Sequence, residues 1–270
     1  MSTKYLGQPF DIHGGGMENK FPHHECEIAQ SEAANEVQFA KYWLHNNMVT
    51  VDGQKMGKSL NNFITLKQAF TGAHEKLTQS YDPLAVRQLI LNSHYRSPID
   101  FSDAALFAAQ SGYNKITETV KAVRKQQSAA TQGEIDSSAA EQLKQLKERF
   151  EAAMNNDLNT SIALSVVFEL VRLANGVLQD ANATAQTLGA IDDLFSRLGG
   201  DVLGIVKEEN LAVSHADGLH VEDVVSVVIT ERNEARKNKN FAKADELRAK
   251  LDAIGIVLED KPEGTAWRRK

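Results

Sequence analysis

The chain has 270 residues, of which 42% are hydrophobic and 24% charged, as in a soluble globular protein of one large domain or two to three small ones. No apolar run approaches the ~18 residues of a bilayer-spanning helix, and the first residues, MSTKYLGQPF, lack the apolar core of a signal peptide, so we expect a cytoplasmic protein without membrane contact. The single cysteine, Cys26, excludes an internal disulfide network, and the net charge of −6 means that any nucleic acid must be bound by local basic patches.

The first patterned stretch is FDIHGGG at residues 10–16. Apolar residues at Phe10 and Ile12 predict a strand, and the three glycines that follow allow a tight turn and close approach of the backbone to a ligand. Pro22 suits the first position of a helix, which continues without a breaker past Ala33. A strand, a glycine loop and a helix N-terminus in succession are typical of a phosphate or nucleotide site.

His23 and Glu27 are four residues apart on the predicted helix, so both side chains leave the same face. One imidazole and one carboxylate can bind zinc if other segments complete the coordination shell. The alternative interpretation of such a pair is a solvated helix face or a capped core histidine. Both interpretations are open from the residues alone.

Taken together, HGGGMENKFPHHECEIAQ at residues 13–30 resembles the block HGGGxDLxFPHHxNExAQ of cysteinyl-tRNA synthetases. These are class I synthetases with a nucleotide-binding catalytic domain and a zinc ion that selects cysteine through its thiolate. The resemblance implies that His23 and Glu27 are zinc ligands and that His13 lies near the metal. It also implies adenylate binding by Gly14, Gly15, Gly16 and Glu18, the last in place of the family's aspartate.

The family's HIGH-type signature and both of its zinc cysteines precede this block, and none of them is present here. We therefore expect the chain to be the C-terminal portion of a longer protein, with an incomplete zinc site. Cys26 stands where the family has asparagine, three residues after His23, which makes metal capture by its thiol conceivable.

Residues 48–51 are strand-like and Asp52-Gly53 predicts a tight turn, whereas the aromatic stretch 37–45 is interpreted as core packing. The segment KMGKS that follows resembles the KMSKS loop of class I synthetases. The resemblance assigns Lys55 and Lys58 to catalysis, because their ammonium groups can stabilise charge on phosphate and departing pyrophosphate. Gly57 replaces the family's serine, and we expect a more mobile loop that keeps its ATP-binding role.

Helix signals dominate the middle of the chain. Thr65 to Gln68 is a capping-box pattern for a helix to about residue 74, and Asp82-Pro83 marks the start of another. Residues 66–101 resemble the family's stem-contact segment, in which Arg87, His94, Tyr95 and Arg96 contact phosphates or form a salt-bridged helix end. Four helices follow in residues 102–206, from Ser102 as N-cap through 139–154, 162–178 and 183–198, which predicts an up-and-down bundle.

Residues 207–220 have linker composition, and 221–251 predict a helical pair or one broken helix. A strand near Ile256 and a partner near Trp267 then predict a hairpin. Residues 221–270 resemble the anticodon-binding domain of the same family. Basic residues beside an aromatic suit a single-stranded RNA loop, so Trp267, Arg268 and Arg269 are the candidate tRNA contacts.

The sequence therefore predicts a mainly α protein with a small α/β part. Its parts are the remnant of a Rossmann-type catalytic domain (1–65), the stem-contact segment, a helical bundle and a small C-terminal α/β domain. The resemblance implies a cysteine–tRNA ligase that uses zinc, ATP with magnesium, cysteine and cysteine tRNA and is a monomer in full-length form, this chain alone being inactive. The alternatives are a related cysteine ligase acting on an amino-sugar and a non-catalytic tRNA-binding module.

Overall fold

The computed structural model describes residues 1–211, 228–229, 231–233, 235–236, 241–253, 256–261 and 264–269. They belong to two units, Met1–Leu211 and Ala212–Lys270. Helices dominate the described residues and the sheets are small. The prediction of a mainly α protein with a small α/β part is confirmed.

The first unit opens with a single parallel strand pair joined by a helix. Because a parallel pair needs a crossover, a helix, α2 (Glu25–Asn35), runs between the two strands, and short helical turns at Met17–Asn19 and Lys20–His24 lead into it. The strands are in register from Phe10 opposite Ala40 to Gly16 opposite Asn46. The elements are α1 (Ser2–Leu6), β1 (Phe10–Gly16), α2 (Glu25–Asn35) and β2 (Ala40–Asn46).

Two expectations for this region are corrected. The three glycines do not form a turn; they are the last residues of β1 and each is paired with β2, so Gly14 lies opposite Leu44. None of the three has a positive φ, in contrast to the turn residue Gly53. The aromatic stretch is strand β2, and its residues are only partly core, because Phe39 is buried whereas Tyr42 is exposed.

The second sheet and its helices follow local sequence signals. Strands β3 (Val49–Val51), β4 (Gln54–Lys55) and β5 (Ile99–Asp100) are ordered β4-β3-β5. The predicted tight turn between β3 and β4 is confirmed by left-handed φ values at Asp52 and Gly53. Helix α3 (Leu66–Thr71) begins with the predicted capping box and ends earlier than predicted, at Gly72 in the left-handed conformation. Helix α4 (Pro83–Leu91) is capped by Asp82, as predicted.

Four long helices form the predicted bundle: α5 (Asp103–Ala129), α6 (Ser137–Asn155), α7 (Thr160–Leu178) and α8 (Ala185–Phe195). A π-helical stretch, Ser196–Val202, and a short helix α9 (Glu208–Leu211) follow. Contrary to the expectation from the sequence, α7 is long and apolar enough to cross a membrane. It is instead a core helix of the bundle, with seven buried residues packed against α5, α6 and α8.

In the second unit, α10 (Phe241–Ala253) precedes an antiparallel pair, β6 (Ile256–Lys261) and β7 (Gly264–Arg269). The predicted hairpin is confirmed. Leu251, Ile256 and Leu258 form a small buried cluster with Val228 and Ile229. Most of the predicted linker, residues 212–220, and the start of the predicted helical pair, 221–227, lie outside the described residues.

Candidate functional site

A cluster of imidazoles lies where β1, α2 and β2 meet. His13 comes from β1, His24 from the turn before α2, and His45 from β2. The Nε2 atom of His13 is 2.8 Å from Oε2 of Glu27, and Nδ1 of His24 is 2.9 Å from Nε2 of His45. Trp43 stacks on the His13 ring with 4.5 Å between centroids. The cluster combines imidazole nitrogens, one carboxylate and an aromatic wall.

The strand register explains why these groups meet. His13 lies opposite Trp43 and Gly15 opposite His45, and alternate residues of a strand share a face. Gly15 leaves room for His24, because an ideal Cβ at residue 15 would lie 2.7 Å from Cε1 of that imidazole. Gly15 thus allows close approach of the backbone to the His24 side chain within a strand, and the predicted approach to a ligand stays a prediction.

Burial sets the ionisation of the central histidine. His24 is only 4% exposed. Its burial, and next the proximity of the His13 imidazole, lower the pKa of His24 below the ordinary value of 6.5. His24 is therefore neutral at physiological pH, which is the form of histidine that binds a metal.

The predicted zinc pair is only loosely assembled. The His23 side chain is 65% exposed, with its Nε2 atom 3.6 Å from Oε1 of Glu27. One ligand atom from each of His13, His24 and Glu27 lies within 4.8 Å of the others. Imidazole and carboxylate donors suit Zn²⁺, so the residues present fit this metal. Sequence reasoning missed His24, whose only sequence signal was its place beside His23.

A cavity of about 730 Å³ adjoins the glycines of β1. It lies at the carboxyl ends of β1 and β2, which is the edge where open parallel sheets bind ligands. Gly16 is not among its lining residues; instead, its Cα faces the Glu18 carboxylate, which an ideal Cβ would meet. The lining residues are Gly14, Gly15, Leu44, Asn46, Asn47, Val49, Ile90, Leu91, Ser93, Tyr95, Ile99, Leu158 and Thr160.

The loop that carries Lys55 and Lys58, here called the lysine loop, is anchored by a buried asparagine that the sequence did not predict. The Asn62 side chain accepts a hydrogen bond from the backbone N–H of Gly57 at 2.9 Å and donates one to the carbonyl of Lys55 at 3.1 Å. Lys58 begins a short 3₁₀ turn, Lys58–Leu60, and its Nζ atom lies 5.7 Å from the centroid of the Phe63 ring. Both lysines are exposed and free to approach a phosphate.

The residues predicted to contact the tRNA stem join the strand region to the bundle. The hydroxyl of Tyr95 donates to Oδ1 of Asp157 at 2.8 Å, and Nε of Arg96 lies 2.8 Å from Oδ2 of the same carboxylate. Arg87 donates to the carbonyl of Leu203 at 2.6 Å. The salt-bridged alternative is thus confirmed for Arg96, and phosphate contacts stay a prediction.

The candidate tRNA residues lie in β7. The antiparallel register pairs Trp267 with Leu258, Arg268 with Val257 and Arg269 with Ile256. Their contact with RNA stays a prediction.

Three family models match the chain: the tRNA synthetases class I (C) catalytic domain over residues 1–111, the DALR domain over 149–207 and the Cysteinyl-tRNA ligase anticodon binding domain over 222–268. The cysteine–tRNA ligase of Chlorobaculum tepidum is 46% identical over an alignment of 273 positions, which covers 100% of this chain and 53% of that relative. The enzyme of the same name from Bacteroides fragilis is 42% identical over 271 residues, again 53% of its length. The chain spans about half the length of the curated relatives it matches.

Among solved structures, the LeuRS–tRNA–LeuAMS ternary complex of Agrobacterium radiobacter K84 matches 94% of this chain and 37% of its own, with a TM-score of 0.50 and 17% identity. At that identity the likeness is one of fold alone.

Proposed function

Because the chain belongs to the cysteine–tRNA ligase family, we propose that it forms part of an enzyme that activates cysteine with ATP and transfers the cysteinyl group to cysteine tRNA. The observation that carries the proposal is 46% identity to a cysteine–tRNA ligase over the whole of this chain. The imidazole cluster and the cavity beside the glycines support it, since they supply metal-binding and nucleotide-sized features at one strand edge.

In this proposal His23 and Glu27 hold zinc, with His13 nearby, as the resemblance implies. When bound, the metal supplies a Lewis-acidic centre that takes the thiolate of cysteine, which serine cannot supply. The neutral state of buried His24 limits the positive charge around that centre. The chain's own contribution is a position for a thiol-bearing side chain beside His13, on whose ring Trp43 stacks.

We assign binding of the ATP phosphates to the lysine loop. Lys55 and Lys58 bind the phosphates of ATP, with magnesium, and stabilise the charge that develops on pyrophosphate as it departs. As the resemblance implies, Gly14, Gly15 and Gly16 bind the adenylate and Glu18 contacts its ribose; of the three glycines, Gly14 and Gly15 line the cavity. The anchoring of the loop by Asn62 supports this role, because it fixes the backbone from which both lysines reach.

The amino-sugar ligase is disfavoured by the anticodon-binding match over residues 222–268. For the protein as a whole we propose a cytoplasmic monomer, as the resemblance to cysteinyl-tRNA synthetases implies. For this chain alone we predict no cysteine-dependent ATP–pyrophosphate exchange, so it would act by itself only as a tRNA-binding module. Measurable exchange by the purified chain would contradict that part of the proposal.

The experiment is to measure binding of the purified chain to cysteine tRNA at two salt concentrations, beside the same tRNA with an altered anticodon. We expect affinity to fall with salt, because phosphate contacts release counterions, and to fall further when the anticodon is changed. The Trp267→Ala variant should lose the anticodon preference, whereas Lys41→Ala, which removes an exposed ion pair with Asp11, should keep it. Equal affinity for both tRNAs would contradict anticodon recognition by this chain.

A further inference from the structure

We propose that Leu158, in the turn before α7, is a specificity-determining residue of the cavity beside the glycines of β1, where its side chain packs against an uncharged nucleobase ring. The inference rests on the proposed function, because it concerns a ligand of the same cavity. It adds a contact that the helical bundle supplies, whereas the glycines belong to the strands.

The turn has an unusual backbone conformation. Asp157 and Leu158 have φ values of 57° and 53°, so two consecutive residues other than glycine lie in the left-handed region. This region is unfavourable for L-residues, and leucine lacks the short polar side chain with which aspartate offsets the strain by local hydrogen bonds. Leu158 is also 47% exposed, so burial offsets little of the strain. Strain of this kind, held in place by the surrounding structure, is typical of ligand sites.

Contacts on both sides hold the turn in this conformation. Oδ1 of Asp157 accepts from the Tyr95 hydroxyl at 2.8 Å, and Nε of Arg96 lies 2.8 Å from Oδ2. On the bundle side, the backbone N–H of Leu158 donates to the Met154 carbonyl at 3.1 Å. The position of Leu158 is therefore fixed before a ligand binds, which lowers the entropic cost of binding.

The lining of the cavity suits the base of a nucleotide better than its phosphates. Six of the thirteen lining residues are leucine, isoleucine or valine, and five more offer an amide or a hydroxyl. None of these described residues is charged, and neither Lys55 nor Lys58 is among them. A mostly apolar pocket with a few polar groups that orient the ligand suits a flat, uncharged heteroaromatic ring. A phosphate would instead be buried without a charged partner, which is unfavourable.

Tyr95 and Leu158 line the cavity together. The Tyr95 ring is held in place, because its hydroxyl donates to Asp157 and accepts from Nε of Arg96 at 3.1 Å. Aromatic side chains provide stacking surfaces for nucleobases. Leu158 adds an aliphatic surface beside this ring, and Ile90, which is 49% exposed, adds another that a ligand would remove from water.

The test is a calorimetric titration of the purified chain with adenosine, which carries a base and a ribose but no phosphate. We expect saturable binding to one site. Leu158→Gly should lower the affinity at least ~10-fold, as loss of an apolar contact in a pocket does. Glu36→Gly is the matched control, because Glu36 has a φ of 55° at the end of α2 and does not line the cavity. It should leave the affinity unchanged.

Two further measurements separate a ligand contact from a structural role. In urea unfolding, Leu158→Gly and Glu36→Gly should both have midpoints at or above that of the wild type, because glycine adopts the left-handed conformation without strain. Loss of affinity in Leu158→Gly then does not come from loss of the fold. Inorganic tripolyphosphate should not displace adenosine, because no charged side chain is among the described residues that line the cavity.

Leu158→Ala, which also removes most of the side chain, keeps the test decisive if Leu158→Gly fails to fold. The proposal is overturned if adenosine does not bind saturably, if the folded Leu158 variants bind it as tightly as the wild type, or if tripolyphosphate displaces it. Failure of the proposed function would be a separate result, because that function is tested by the anticodon dependence of tRNA binding, in which adenosine takes no part.

Discussion

Gly15 and His24 pack closely in the imidazole cluster: an ideal Cβ on residue 15 would lie 2.7 Å from Cε1 and 2.9 Å from Nε2 of the imidazole. The φ of Gly15 is not in the left-handed region, so the backbone alone would accept any residue. The glycine is therefore required by a side chain nine positions further along the chain.

We expect Gly15→Ala to destabilise the protein by about 1–3 kcal/mol, the usual cost of overpacking a tight contact. Gly14→Ala is the matched control, because an ideal Cβ there meets only the Leu44 carbonyl oxygen, at 3.4 Å. Urea unfolding followed by circular dichroism measures both. Equal stability of the two variants would show that His24 can move aside without cost.

The buried Tyr81 hydroxyl stabilises the start of α5. It donates to Oδ1 of Asp103 at 2.5 Å, and Thr78 donates to the same carboxylate through its backbone N–H and its hydroxyl. Because a hydrogen bond to a charged group contributes about 1.5–3 kcal/mol, Tyr81→Phe should lower the free energy of unfolding by that amount at neutral pH. Thermal and urea unfolding give the value, and Tyr5→Phe, on an exposed side chain, is the control.

The hydrogen bond between Tyr81 and Asp103 also makes the free energy of unfolding depend on pH. Burial opposes ionisation of Asp103, but the hydrogen bonds from Tyr81 and Thr78 outweigh it and hold the pKa of Asp103 below its ordinary value of 3.8. The stability from this carboxylate is thus present above pH 3.8 and is lost as pH falls through its lowered pKa. Burial and the Asp103 partner raise the pKa of Tyr81 to about 12. The stability from the Tyr81 hydroxyl is therefore lost only as the pH rises above 10. The difference in free energy of unfolding between wild type and Tyr81→Phe should shrink as the pH falls below 3.8; a constant difference would contradict the pairing.

Asp157 joins the bundle to the loop after β2. Hydrogen bonding from Tyr95, and next the charge of Arg96, keep the pKa of Asp157 below its ordinary value. The carbonyl of Tyr95 in turn accepts from the backbone N–H of Asn47 at 2.9 Å. We expect Asp157→Ala to speed hydrogen exchange at the Asn47 amide, because the segment that protects it loses its anchor. Asp11→Ala, which removes an exposed ion pair with Lys41, should leave that amide unchanged; unchanged exchange in Asp157→Ala would contradict the coupling.

The lysine loop gives a prediction for the complete enzyme. If Lys55 and Lys58 stabilise charge in the transition state, alanine at either position should lower the rate of cysteine-dependent ATP–pyrophosphate exchange by about 10²–10³-fold. The effect should fall on kcat more than on KM, because the interaction strengthens as charge develops. Lys76→Ala, on a lysine paired with Asp52 in the adjoining turn, is the control. Exchange rates within a few-fold of wild type would show that the two lysines do not stabilise the transition state.

The glycine of the same loop is replaceable. Gly57 has a φ of −165°, and an ideal Cβ there meets nothing closer than Ser59 Oγ at 3.9 Å. Gly57→Ala should therefore stabilise the chain by about 0.4–1 kcal/mol through the unfolded state. Gly72→Ala should destabilise it, because Gly72 has a φ of +70° and the ideal Cβ lies 2.9 Å from the backbone of Gln79 and Ser80. Differential scanning calorimetry distinguishes the two; destabilisation by Gly57→Ala would mean that the loop needs its glycine.

Several features were fixed by residues close together in the sequence. The capping box at Thr65, the N-cap of α4 at Asp82 and the tight turn at Asp52-Gly53 were all predicted and all confirmed. Each depends on hydrogen bonds or backbone conformations within about four residues, so neighbouring residues are sufficient to specify it. The four-helix bundle was predicted for the same reason, because apolar periodicity is a local property.

The site itself depended on contacts that the sequence does not display. The glycines belong to a strand because β2, some thirty positions later, pairs with them. His24 rather than its neighbour His23 faces the strand because residue 15 leaves space for its ring. Asp157 and Tyr95 are 62 positions apart and meet where α4 packs against α5 and α7. By itself the sequence determined the helix caps, the tight turn at Asp52-Gly53, the bundle and the family. The tertiary structure decided which side chains share the site, because strand register and close packing join residues whose separation no local pattern records.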